Sequence, residues 1–328
     1  FGIVTYSLTD LKPLSIFKDD IPHGKLIDYL LASSCFPAFK PQVIGDKKFI
    51  DGGIYDNVPI SLMLEKNIKN IVVVDISGVG SRTRKYDLNG MNVIYIKNSM
   101  NLGPTLDFNS ERSMKNIEIG YNDTLRAFGK IGGKTYYIKD SKRNTNYIID
   151  ENDLENINYF LGLDDENKFI YKDEIIQNKS ELNSIDLNKI VRDKIIKTIR
   201  LNINGKLTDK LIFDAMAQIT AGVIGIDNYK VYTINELISE IMDRYNEVRN
   251  SQDFNEYIAN INSIIANRDN GEFDAEIKKY LVEGKFLIYH NIRIDEDSEK
   301  SKKFRRFIAM TLPKISIANI FMSLLIDK

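Results

Sequence analysis

The chemistry in this sequence starts from one carboxylate. In KFIDGGIYDNVPI, Lys48 to Ile60, Asp51 ends a strand-like run and two glycines, Gly52 and Gly53, follow at once. Glycine reaches positive φ without the Cβ penalty, so in the plain reading the pair only lets the backbone turn. In a sharper reading the turn presents Asp51 at the rim of a sheet, where an ionised carboxylate can accept a proton. Such a group is a weak base toward a hydroxyl unless its position helps it. Against an apolar wall such as Phe49 or Ile54, partial desolvation would disfavour the charged form and strengthen the base. A serine nucleophile needs a base within hydrogen-bond reach, and that base need not be histidine.

Few other groups compete. Cys35 is the single cysteine, which excludes an internal disulfide and paired-cysteine metal ligation. His23 and His290 are far apart, and neither sits at triad or ligand spacing. A Ser and Asp pair is therefore the economical proposal. Ser33 and Ser34, just before Pro37, read as helix-end caps or space fillers, because no glycine elbow surrounds them. Cys35 reads as a small buried hydrophobe. Asp75 is followed by Gly78 and Gly80, but Thr83 stands where a dinucleotide fingerprint needs its third glycine, and Walker spacing is absent. The stretch from Gly78 to Asp87 reads as a solvent loop. No metal or organic cofactor is implied.

The elements that must position Asp51 come from the first part of the chain. With 328 residues, 43% of them hydrophobic, the length suits about two domains with ample core. A formal net charge of -1 gives no long-range attraction for nucleic acid. From Phe1 to about Asp140, short apolar strands alternate with amphipathic helices, as in an α/β layer structure. The opening FGIVTYSLTD reads as a strand in mid-fold, without methionine or a signal pattern, as though part of a longer protein were present. Gly24 to Ser34 carries Leu26, Ile27, Leu30 and Leu31 at helical spacing, ending before Pro37. Asn57 is a cap candidate with Pro59 near the first helical position. NIVVVDIS, Asn70 to Ser77, is a continuous β-branched run expected to be buried on both faces of a parallel sheet. MNVIYIKN follows as a strand, Phe108 to Phe128 as a long helix, and Lys134 to Ile138 as the closing strand.

After Ser141 to Asn146 the character changes to successive helical patterns, which sets domains at 1–140 and 141–328. Helices are expected over Asp153–Leu161, Ile185–Leu201, Thr208–Ile224, Ile234–Val248, Phe254–Ala266, Ala275–Val282 and Phe304–Ile326. Thr233 with Glu236 forms a capping box ahead of the fourth. An all-α bundle is the expected outcome. Lys300, Lys302, Lys303, Arg305 and Arg306 precede an apolar stretch, Phe307 to Ile326, that fits either a helix packed on that bundle or a bilayer surface. Pro313 and Lys314 interrupt it, which argues against a transmembrane span.

The stretch ASSCFPAFKPQVIGDKKFIDGGIYDNVPI, Ala32 to Ile60, resembles the carboxy-terminal half of the patatin-like phospholipase family. There a helix ending in small residues leads through a proline-rich turn to D-G-G or D-G-A, with Asn and Pro following as Asn57 and Pro59 do here. The combination is far more specific than D-G-G alone. The resemblance covers Phe1 to roughly Asp140 and implies the carboxy-terminal portion of a three-layer α/β/α sandwich, ahead of the helical bundle. It also implies an acyl hydrolase with a catalytic Ser and Asp dyad, bacterial by the Asn, Ile and Lys bias, in which Asp51 matches the family aspartate and Gly52 and Gly53 its motif turn. The family serine sits in a G-x-S-x-G elbow, and a Gly-rich oxyanion loop lies earlier still; neither occurs in these residues.

The resulting expectation is the carboxy-terminal part of a lipid acyl hydrolase, silent on its own, with the serine and oxyanion loop upstream. Its partners would be a phospholipid or other acyl ester, the missing amino-terminal part of the same fold and a membrane surface, not nucleic acid. Cytoplasmic, membrane-associated and secreted locations all fit. From another class, a non-catalytic patatin-like interaction module, whose helical region binds a partner, is the alternative.

Overall fold

The alternation of apolar and polar residues at the start of the chain makes a strand, and that strand becomes the centre of a small sheet. In the computed structural model, residues 1–76, 86–139, 148–163, 187–203, 205–266 and 299–326 are described. Two compact units divide the chain, Phe1–Lys130 and Ile131–Lys328.

In the first unit, β1 (Gly2–Ser7) pairs antiparallel on both sides, with β2 (Lys12–Phe17) and with β4 (Lys47–Asp51). β3 (Gln42–Ile44) completes the order β2-β1-β4-β3. The β1–β2 turn is tied by Asp10, whose carboxylate accepts from the Ser7 hydroxyl and the Lys47 ammonium. Helix α1 (Leu26–Ser33) packs on the sheet through Tyr29, whose ring lies 6.1 Å from that of Phe49. Strand residues alternate faces, so Phe49 and Asp51 share one face, and that face is the one α1 covers. Ala32 is buried, whereas Ile27 and Leu31 are 70% and 52% exposed. The leucine-rich spacing thus gives a helix that is apolar on both its sheet-facing and its outward side.

Helix α2 (Ser61–Glu65) leads into β5 (Asn70–Asp75), which pairs in parallel with β6 (Asn92–Lys97), from Asn70↔Asn92 to Asp75↔Lys97. Ile71 and Val73 are buried with Ile60, and Met63, Leu64 and Leu88 pack around them. On the other face Val72 and Val74 are 53% and 64% exposed, whereas Ile96 of β6, the partner of Val74 in the register, is buried. The expectation of burial on both faces is therefore corrected for β5: among the described residues, α2 and its approach cover Ile71 and Val73, while Val72 and Val74 stay exposed. This pair and the four-stranded sheet are separate sheets. Helix α3 (Ser110–Ala127), capped by the Asn109 side chain on the Arg112 amide, closes the unit.

Among its described residues the second unit is mainly helical, with a short parallel ladder, β7 (Tyr137–Ile138) against β8 (Val231–Tyr232). That pairing draws Tyr137 into this unit, so the division falls before the Ser141 to Asn146 stretch, which lies outside the described residues. The described helices are α4 (Glu151–Leu161), α5 (Leu187–Arg200), α6 (Asp209–Ile224), α7 (Ile234–Arg249), α8 (Gln252–Ala266), α9 (Glu299–Thr311) and α10 (Pro313–Ile326). Thr233 and Glu236 form the capping box at the start of α7. The expected helix over Ala275–Val282 lies outside the described residues. Phe304–Ile326 is two helices bent by 119°, with proline at the first position of the second. Gln218 on α6 gathers the backbone before β7, its side-chain carbonyl accepting from the amides of Lys134, Thr135 and Tyr136. α10 is buried from Ile315 to Leu324, with Phe321 against Phe213 at 5.1 Å between ring centres.

Candidate active site

Asp51 is the last residue of β4 and the cap of a single 3-10 turn, Gly52–Ile54. Its position is set by three neighbours. Across the sheet it pairs with Thr5, which is fully buried and whose hydroxyl donates to the Ile50 carbonyl at 2.7 Å. On the other side the Asp51 amide donates to the Cys35 carbonyl at 2.8 Å. Ahead, the Gly53 amide donates to Asp51 Oδ1 at 2.8 Å. Its second carboxylate oxygen has no protein partner among the described residues, and the side chain is half-buried. The turn thus leaves one carboxylate oxygen held by a backbone amide and the other open.

Gly52 is required by space, and Gly53 sits against two side chains. A Cβ on Gly52 would fall inside the van der Waals surface of the Val4 carbonyl and 2.8 Å from Val4 Cγ1. One on Gly53 would stand 2.9 Å from Asn57 Oδ1. Asn57 therefore packs against the turn instead of capping a helix; α2 begins at Ser61, with Ile60 in the cap position and no side-chain cap bond. The expected apolar wall is half realised, since Phe49 is buried on Asp51's face of the strand but Ile54 is 41% exposed.

Asp56 escaped the sequence reading. It is buried at the end of the turn, its amide donating to the Gly52 carbonyl at 3.0 Å and its carboxylate accepting from the Tyr86 hydroxyl. Its place beside Asn57 in the same motif was the available signal.

The Ser33 hydroxyl donates to the Val4 carbonyl at 2.8 Å, and that of Ser34 to Leu30 and Leu31 at the end of α1. Cys35 is half-buried, not enclosed, and its thiol donates to the Lys40 carbonyl. Asp75 is buried and accepts from the Tyr95 hydroxyl at 2.9 Å. The stretch from Gly78 to Lys85 lies outside the described residues, and so does His290. His23 is exposed. In the carboxy-terminal basic cluster, Arg305 is buried with its guanidinium 4.0 Å from the Tyr159 ring centre, and Arg306 donates to the Gly162 carbonyl. These two cations stabilise helix packing. Among the described residues no helix is long and apolar enough to cross a membrane by itself, although the bent α9–α10 pair passes that test jointly on length and composition. No group of three or more His, Cys, Asp or Glu among the described residues is arranged to hold a metal.

Residues 2–64 match the family model of patatin-like phospholipase. The matched segment runs from β1 through α2 and contains the whole Asp51 turn; it stops short of the Asp140 limit expected from sequence. It is consistent with the carboxy-terminal part of such a domain, and the family points to lipid acyl hydrolysis. No curated protein and no solved structure gives a significant match.

Proposed function

We propose that this polypeptide is the carboxy-terminal part of a lipid acyl hydrolase in which Asp51 is the general base. What carries the reading is the state of that carboxylate: Oδ1 is fixed by the Gly53 amide, the second oxygen is open, and the turn lies in the family-matched segment. A serine preceding Phe1 would lose its proton to the open oxygen as its own oxygen attacks the acyl carbonyl. Asp51 would then return that proton to the departing alcohol. Backbone amides of an oxyanion loop, also upstream, would stabilise the tetrahedral intermediate. A phospholipid or related acyl ester is the substrate, met at a membrane surface. The complete catalytic unit would be a three-layer α/β/α sandwich, with the missing part lying against the exposed Val72 and Val74 of β5. A parallel strand pair is ordinarily covered on both faces, which supports that reading.

The test uses the full-length protein. Released fatty acid from phosphatidylcholine vesicles, and covalent labelling of a serine by a fluorophosphonate, are the expected results. A folded full-length protein that does neither would be the non-catalytic interaction module instead.

A further inference from the structure

The corner where α1 ends meets the Asp51 turn at two points. Ser33 places its hydroxyl on the Val4 carbonyl at 2.8 Å, and two residues later the Cys35 carbonyl receives the Asp51 amide at 2.8 Å. The Val4 carbonyl is also the group against which Gly52 packs so closely that no Cβ fits. Ser33, Val4, Gly52, Asp51 and Cys35 therefore form a closed circuit. Its links are a side-chain bond, a packing contact, two covalent chain segments and a backbone bond.

We propose that Ser33 is the positioning residue for Asp51, an inference that rests on the hydrolase reading above. The hydroxyl pins the end of α1 to β1 across a sequence separation of 29 residues. With that pin in place, the Cys35 carbonyl is held where the Asp51 amide reaches it. Remove the pin, and the helix end is free to drift along the strand. The Cys35 carbonyl drifts with it, and the carboxylate loses the backbone reference that aims its open oxygen. Ser33 is no nucleophile in this arrangement, since its proton is committed to a main-chain carbonyl. Its oxygen adds to the circuit only as a donor, so threonine, which keeps the hydroxyl, satisfies the same contact and alanine does not.

Two measurements on the full-length protein separate this from a bland stabilising role. In Ser33→Ala, amide exchange read by mass spectrometry over Ile50 to Gly53 should rise about tenfold while β1–β2 peptides stay unchanged. Ester hydrolysis should lose about tenfold or more in kcat at constant KM, because a misplaced catalytic group costs rate without costing binding. Ser33→Thr should restore both. If Ser33→Ala does not fold, Ser33→Cys, a near-isosteric but weak donor, should show the same changes at smaller amplitude. Unchanged exchange overturns the proposal, and so does unchanged kcat in a protein that Asp51→Asn silences. If Asp51→Asn stays active while exchange still rises in Ser33→Ala, Ser33 does position Asp51 and the hydrolase reading is what falls.

Discussion

Gly52 lies directly on the main chain of Val4, and a Cβ added to it would penetrate the Val4 carbonyl. Antiparallel pairing of β4 with β1 thus ends at Asp51 through a contact that only glycine permits. The contact is with backbone in the middle of a sheet, which cannot yield as a flexible side chain would.

Gly52→Ala should accordingly lower stability by about 1–3 kcal/mol, the usual cost of forcing extra atoms into a packed site. Gly53→Ala should cost less, because the atoms it meets first belong to the Asn57 and Asp51 side chains. Urea unfolding of the two variants side by side checks the order. Equal stability of Gly52→Ala and the parent would contradict the close approach.

Alkaline pH should unfold the second unit. Burial pushes the Tyr136 and Tyr232 hydroxyls well above the ordinary tyrosine range, and neighbouring groups, the Glu240 and Asp227 carboxylates among them, push the same way. In the unfolded chain both ionise near pH 10. Their contribution to stability is therefore fully present below about pH 10 and falls as pH rises past it. Tyrosinate absorbance and helix signal, followed together, should show these two residues ionising only as the helices melt; Tyr136→Phe and Tyr232→Phe identify their share. Ionisation near pH 10 with the helices intact would be the contrary result.

Much of this was legible because it is local. The Thr233–Glu236 capping box spans three residues and is read directly, and the D-G-G turn is contiguous. β2 escaped because KPLSIF carries a lysine and a proline that lower its strand character, and its place is set by register with β1. The exposure of Val72 and Val74 was illegible for a different reason: a β-branched run states what a strand could bury, not which neighbours are present to bury it. At the site, Asp51 and its glycines stand in the motif. The Ser33–Val4 bond and the Cys35–Asp51 bond join distant stretches of chain, and no residue type announces them.

The exposed Val72 and Val74 also have a solution consequence. Expressed by itself, the 328-residue chain should self-associate and bind an apolar dye, because Val72 and Val74 are exposed on a strand that, among the described residues, is paired on one side only. Val74→Lys should shift sedimentation toward monomer without lowering the unfolding midpoint. Monomeric behaviour of the parent chain at high concentration would count against this.

Asp51→Asn in the full-length protein is the most direct test of the central claim. Asparagine keeps the shape and can still accept the Gly53 amide, but it takes no proton from a serine. Acyl-ester turnover should fall by about 10²–10⁴-fold, the range a general base contributes, while the unfolding midpoint stays at that of the parent. Turnover within a fewfold of the parent would contradict the assignment of Asp51 as the base.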